Sequence, residues 1–344
     1  MTRVLIVEDS AVTREFLTSL LSRDRALQVV GVARNGLEGV EQAERLRPDV
    51  ILMDVYMPRM NGYEATRQIM ERVPSPIVMV SANFNRDEVA MTFEALKAGA
   101  LAVVEKPGGP DYPKHAETTR LLIQTVKLMA EVKVVRRWPK RRAPVPPTPL
   151  PSKSDQRIRL IAIGASTGGP GVLAEILAGL PTAPPIVVVQ HIAPGFTTGL
   201  AEWLNRGTRL EVKLAKAGES VRPGTVYLAP EGTQMGITKE GRISLAKEPA
   251  EDGFCPSATY LFQSVAESYG PSAIGILLTG MGRDGASGLR RLRDAAAVTM
   301  VQDEDTSVVF GMPAEAIRLG AAEYVLSPEQ ISGMLRSLMT QGKR

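Results

Sequence analysis

The chain has one cysteine, Cys255, and two histidines, His115 and His191, in 344 residues. A single thiol excludes an internal disulfide and suits a reducing compartment; beside Pro256 it reads as a small turn residue. Long apolar runs are also missing. None approaches the roughly 20 residues of a spanning helix, and Met1 to Val7 passes at once into Glu8 and Asp9, unlike a secretory leader. The expected location is therefore the cytoplasm, without membrane insertion. Broad basic character is absent too. The net charge is +4, but Lys133 to Arg142 alone holds six cations and no acid, so the remainder sums to −2. A nucleic-acid footprint across a folded face is not expected. With 44% hydrophobic and 23% charged residues, the chain has room for about two soluble domains.

The first 130 residues alternate short β-branched runs with amphipathic stretches. Arg3 to Val7 stops at Glu8-Asp9-Ser10, Val50 to Met53 at Asp54, Ile77 to Val80 at Ser81, and Leu101 to Val104 at Glu105-Lys106-Pro107. Helical spacing covers Val12 to Leu21, Leu37 to Leu46, Glu64 to Glu71 and Glu88 to Ala98. This alternation of strands with helices predicts a doubly wound parallel sheet, a (βα)5 unit, which binds ligands at the carboxyl ends of its strands. Glu8, Asp9, Asp54, Ser81 and Lys106 would share that edge. Three unbalanced carboxylates call for a hard divalent ion such as Mg²⁺. A lysine and a hydroxyl beside them suit a phosphoryl group, with Asp54, the lone acid at its strand end, as its acceptor.

These residues resemble the response-regulator receiver domain over roughly 1 to 128, in Val7-Glu8-Asp9-Ser10, Leu52-Met53-Asp54-Val55-Tyr56-Met57-Pro58-Arg59-Met60-Asn61-Gly62, Ser81-Ala82 and Lys106-Pro107. The resemblance implies Mg²⁺ held by Asp9, Asp54 and the Tyr56 carbonyl, with Glu8 acting through water. It further implies phosphorylation of Asp54 by a histidine kinase, phosphoryl contacts from Ser81 and Lys106, and a cis bond before Pro107. Val103 stands where the family often carries an aromatic switch residue.

Residues 131–156 are basic and then proline-rich, with prolines at 144, 146, 147, 149 and 151, and read as a semi-rigid linker. It would be a passive tether, or a docking strip in which Trp138 and its cations meet an acidic partner surface.

Residues 157–344 open on Ile161-Ala162-Ile163-Gly164-Ala165-Ser166-Thr167-Gly168-Gly169-Pro170-Gly171, a buried strand breaking into a glycine-rich turn before the helical spacing of Val172 to Leu180. Gly164 to Gly168 fits G-x-S-x-G, the elbow that exposes a serine hydroxyl beside helix amides. A nucleotide-binding turn competes for the same glycines. Against it, no G-x-G-x-x-G or Gly-Lys-Ser/Thr can be laid here, Pro170 lacks an amide, and Ile186 to Gln190 runs into His191 rather than an acid. Ala273 to Leu278, Ala297 to Val301 and Glu323 to Leu326 read as further parallel strands. Gly224 to Leu228 and Arg242 to Leu245, flanking a turn-rich Gly232 to Gly241, read as a small antiparallel insertion in this second doubly wound, Rossmann-like α/β domain.

If Ser166 is a nucleophile, His191 ends a neighbouring strand and stands where a base must be, whereas His115 lies on a polar helix. The orienting acid would be Asp284 or Asp303, each of which follows a strand at the same edge; position alone does not choose.

Residues 157 to about 340 are similar to the catalytic domain of the chemotaxis protein-glutamate methylesterases. The similarity rests on Gly164-Ala165-Ser166-Thr167-Gly168-Gly169-Pro170, Val189-Gln190-His191, Leu228-Ala229-Pro230, Leu278-Thr279-Gly280-Met281-Gly282-Arg283-Asp284-Gly285 and Phe310-Gly311-Met312-Pro313. It implies Ser166 as nucleophile, His191 as base and then acid, Asp284 as orienting carboxylate, the Met281 amide as oxyanion donor, and Thr167 and Gln190 lining the site. No cofactor is implied for ester hydrolysis. Methyl-accepting chemoreceptors would be the substrate and a chemotaxis histidine kinase the phosphodonor. Cys255 and Thr259 depart from the family's common Arg-Pro-Ser-x-Asp. A DNA-binding response regulator and a nicotinamide-dependent oxidoreductase are the competing classes. The first lacks a helix-turn-helix pattern; saturable nicotinamide binding by residues 157–344 would support the second.

Overall fold

A computed structural model describes residues 1–81, 86–109, 111–132, 134, 157–247 and 253–341. Most of the linker, with Trp138, and Ala82 of the Ser81-Ala82 pair lie outside the described residues. The chain divides into two compact units, Met1–Arg142 and Ala143–Arg344.

The first unit runs β1 (Thr2–Val7), α1 (Ala11–Ser22), β2 (Leu27–Ala33), α2 (Gly36–Leu46), β3 (Val50–Asp54), α3 (Gly62–Arg72), β4 (Ile77–Ser81), α4 (Arg86–Ala98), β5 (Ala102–Glu105) and α5 (His115–Ala130). Its sheet has the order β2-β1-β3-β4-β5 and every pairing is parallel. Every residue of β3 and β4 is buried, as helices on both faces of a parallel sheet require. Ser10, Asn35 and Asn61 cap α1, α2 and α3, each side chain accepting from the amide three residues on; Asn61 and Glu64 form a full capping box. These caps start the helices just beyond the strand ends, which keeps the acidic edge open. The Lys106–Pro107 bond is trans, contrary to the expectation; Cys255–Pro256 is cis. In the trans form Lys106 lies within ion-pair distance of Glu8 and Asp54.

The second unit runs β6 (Leu160–Ala165), α6 (Gly169–Ala178), β7 (Ile186–Gln190), α7 (Thr197–Gly207), β8 (Glu211–Leu214), β9 (Thr225–Leu228), β10 (Gln234–Ile237), β11 (Ile243–Ala246), α8 (Ala258–Tyr269), β12 (Ala273–Leu277), α9 (Ala286–Asp294), β13 (Val298–Gln302), α10 (Met312–Arg318), β14 (Tyr324–Leu326) and α11 (Pro328–Gln341). Its seven-stranded parallel sheet has the order β14-β13-β12-β6-β7-β9-β8. The chain builds outward from β6 to one side, then returns to build outward on the other. The switch point therefore lies between β6 and β12, where such sheets open a crevice.

The antiparallel insertion is real but differently composed. β9, expected in it, pairs in parallel with β7 and β8 inside the main sheet. The strand opposite β11 is β10, within a stretch that reads as turn-rich. Its residues are all buried because the hairpin packs on α8, where Ile237 N donates to Ser264 Oγ at 3.0 Å and Ser268 Oγ to Ile237 O at 2.7 Å.

Candidate active site and phosphoacceptor site

At the carboxyl edge of the first sheet, one ligand oxygen from each of Glu8, Asp9 and Asp54 lies within 4.8 Å of the others. Lys106 Nζ stands 2.7 Å from Glu8 Oε2 and 3.0 Å from Asp54 Oδ1. Burial pushes the Asp54 carboxyl up; Lys106 works against this and Glu8 adds to it, leaving Asp54 at about 7. Burial also opposes the Lys106 charge, but Asp54 and Glu8 outweigh it and hold the lysine above its ordinary value. Ser81 is fully buried at the end of β4, and its carbonyl accepts from the Lys106 amide at 2.8 Å. A divalent ion fits this donor set: the oxygens are hard, and the acids are crowded enough that one resists ionisation without further positive charge. Gly62 lets α3 begin against β3, since a Cβ there would lie 2.0 Å from the Asp54 carbonyl oxygen. Tyr56 is exposed beside this edge, and Val103 packs partly buried against the core.

In the second unit, β6 and β7 pair with Ala165 opposite Gln190, so Ser166 and His191 emerge side by side. His191 N donates to Ala165 O at 2.9 Å, and Gln190 Nε2 donates to the carbonyls of Ser166 (2.7 Å) and His191 (2.8 Å). Gln190 thus ties the two turns together from below. The elbow is tight: Gly168 has φ +79°, and a Cβ on Gly169 would lie 2.2 Å from Gln190 Oε1. Thr167 O accepts from Thr279 Oγ1 at 2.9 Å, joining the elbow to the loop after β12.

That loop brings the remaining groups. A Cβ on Gly280 would lie 2.6 Å from Ser166 Cβ, so only glycine permits this approach. Met281 follows, exposed, and among the described residues its amide has no protein acceptor. Asp284 is fully buried. Its Oδ1 accepts from Ser257 Oγ (2.8 Å), Thr259 N (3.0 Å) and Gly285 N (2.9 Å), and its Oδ2 from Ala258 N (2.7 Å). His191 Nε2 lies 2.9 Å from Oδ2, at ion-pair spacing though not aligned as an in-line hydrogen bond. Burial alone would raise the Asp284 carboxyl. The His191 contact and the hydrogen bonds from Thr259 and Ser257 outweigh it and hold the acid well below the usual carboxylate range.

Asp303 turns away to its own loop, accepting from Thr306 N at 3.0 Å and from the Thr306 hydroxyl. His115 sits at the start of α5, its Nδ1 2.8 Å from Gly108 O. Phe254 is a site residue the sequence reading missed: its ring stacks on His191, centroids 4.6 Å apart and planes 4° apart. The available signal was a lone aromatic in the turn ahead of the Ser257 cap, with no periodicity to mark it. Beside it, Gln190, Ile192, Thr197, Glu231 and Cys255 line a cavity of about 380 Å³.

A serine elbow, a histidine on the adjacent strand and a buried carboxylate at a switch point are the parts of a serine hydrolase; the acidic edge of the other unit has the parts of a phosphoacceptor. Residues 161–335 match the CheB methylesterase family model, and residues 4–115 match the response regulator receiver domain. The protein-glutamate methylesterase/protein-glutamine glutaminase 4 of Geobacter metallireducens is 50% identical, over 98% of this chain and 99% of its own length. The corresponding protein 1 of Syntrophus aciditrophicus is also 50% identical, over 98% of each chain. The crystal structure of the Thermotoga maritima CheB methylesterase catalytic domain is 38% identical with a TM-score of 0.51, covering 52% of this chain and 98% of that one. The chain belongs to the CheB methylesterase family, with a receiver domain at its amino-terminal end. Among the described residues no helix is long and apolar enough to cross a membrane.

Proposed function

We propose that this chain hydrolyses γ-glutamyl methyl esters on chemoreceptors, releasing methanol, and deamidates receptor glutamines, under control of phosphorylation at Asp54. The observation that carries the reading is the buried Asp284 carboxylate 2.9 Å from Nε2 of His191, the residue whose strand delivers it beside Ser166.

Asp284 holds the imidazole with a proton on Nε2, which leaves Nδ1 free to take the Ser166 proton as Oγ attacks the ester carbonyl. The Met281 amide, which among the described residues has no protein acceptor, donates to the oxyanion of the tetrahedral intermediate. His191 returns the proton to the departing methoxide. A water then attacks the acyl carbon and gives a proton to His191, which passes it to the departing Ser166 Oγ; the released acid ionises to a glutamate carboxylate. With a glutamine substrate the leaving group is ammonia. Thr167 and Gln190 line the site, and no metal enters these steps.

In the first domain, Asp9, Asp54 and the Tyr56 carbonyl would hold Mg²⁺, with Glu8 acting through water. When bound, the ion supplies positive charge against the phosphoryl oxygens. Asp54 accepts the phosphoryl group from a histidine kinase, and Ser81 and Lys106 contact it. Residues 1–130 form this receiver, 131–156 the linker and 157–344 the catalytic domain. The soluble composition and reduced thiol fit a cytoplasmic setting.

The test is methanol release from methylated receptor by the full-length protein with Mg²⁺, with and without a small phosphodonor. Release that rises on phosphorylation is expected. No release in either state, with Asp54 shown to be phosphorylated, would refute the substrate assignment.

A further inference from the structure

The Asp284 contact meets His191 at one nitrogen, which together with the covalent anchor at Cβ leaves the tilt of the ring plane to be set by something else. Proton transfer needs the second nitrogen held in place as well, so a second constraint on the ring plane is required. Phe254 supplies one. Its ring lies nearly parallel to the imidazole, 4° between planes and 4.6 Å between centroids. Phe254 is itself tied down although the residue is 39% exposed. Gln234, fully buried on β10, donates from Nε2 to Phe254 O at 2.7 Å and accepts at Oε1 from Ser257 N at 2.8 Å. The same short segment then gives Asp284 the Ser257 hydroxyl and the Ala258 and Thr259 amides. One turn therefore fixes the acid from one side and the face of the base from the other.

We infer that Phe254 is a positioning residue for His191, holding the imidazole plane by stacking and favouring the imidazolium that forms when Ser166 is deprotonated. The second effect follows from the negative face of an aromatic ring, which attracts a cation lying over it. This inference rests on the assignment of Ser166 and His191 proposed above.

The test compares Phe254→Leu, which keeps apolar bulk without a flat face, with Phe254→Tyr, which keeps the face. Methanol release from methylated receptor by the full-length protein should lose roughly 3- to 10-fold in kcat in Phe254→Leu, with KM little changed, and recover in Phe254→Tyr. A structural readout runs beside the kinetics. Because the chain has two histidines, His115→Gln leaves His191 as the one imidazole signal in the proton NMR spectrum. Its carbon-bound protons should sit upfield under the Phe254 ring current and move downfield in Phe254→Leu. Unchanged kcat in Phe254→Leu, a loss confined to KM, or no recovery in Phe254→Tyr would overturn the inference. Ser166→Ala separates the two levels: if it stays active the nucleophile assignment fails, whereas if it is inactive and Phe254→Leu matches wild type, the positioning role alone fails.

Discussion

Replacing Asp284 by asparagine keeps shape and removes charge, and the structure says where the damage falls. Oδ1 accepts three donors, from Ser257, Thr259 and Gly285, and Oδ2 faces Ala258 N and His191 Nε2. An amide can offer an oxygen to only one of these groups. With its NH₂ on the Oδ1 side it opposes three donors; on the Oδ2 side it opposes one backbone amide and the imidazole. The second arrangement is cheaper, and it reverses the tautomer: Nε2 becomes the acceptor and Nδ1 carries the proton, so the ring cannot take one from Ser166. The loss in kcat should be on the order of 10³- to 10⁴-fold, the scale of a triad tautomer error. The unsatisfied Ala258 amide and lost ionic contact should also destabilise the second unit by about 1–3 kcal/mol. The assay is methanol release at a temperature where circular dichroism shows the variant folded, with Asp303→Asn beside it. Among the described residues the Asp303 side chain bonds within its own turn, to Thr306, so that variant should retain activity within about a factor of two to three, as expected of a site away from the reacting groups. An Asp303→Asn loss far exceeding that of Asp284→Asn would refute the reasoning.

Gly280→Ala would put a methyl 2.6 Å from Ser166 Cβ and 2.3 Å from Met312 Sδ. It should cost about 1–3 kcal/mol of stability, read by thermal denaturation, and lower kcat by displacing the elbow. Asp54→Asn should leave basal methanol release intact and abolish its stimulation by a phosphodonor. Chelating divalent ions should do the same in the wild type, because the proposed ion site at Glu8, Asp9 and Asp54 belongs to a different compact unit from Ser166. Basal release that vanished with chelator would count against a metal-free ester hydrolysis.

Much of both folds is legible because strands buried on both faces read as unbroken apolar runs. Ile77–Ser81, Ile186–Gln190 and Ala273–Leu277 are such strands, and the groups that follow them reach the sheet edge. Strands that announce themselves less clearly were misread. Thr225–Leu228 is short and flanked by turns, so it looks like half of a hairpin, and its partners β7 and β8 can be known only from tertiary pairing. Gln234–Ile237 is hidden because Gly236 has no side chain to show alternation; its closeness to Ser244 and Ser264 explains the glycine. Asp284 and Asp303 both follow parallel strands at one edge, and only side-chain direction separates them: one points to His191, the other to Thr306. The Phe254 stack joins a turn to a strand end far apart in sequence, a contact no local pattern encodes.

The most direct test of the central claim is methanol release by Ser166→Ala, measured together with phosphorylation of Asp54 in the same preparation. Hydrolysis lost and phosphorylation intact is the predicted result, since the serine and the aspartate belong to separate compact units. Ester hydrolysis retained in Ser166→Ala would contradict the assignment of Ser166 as the group that forms the acyl-enzyme.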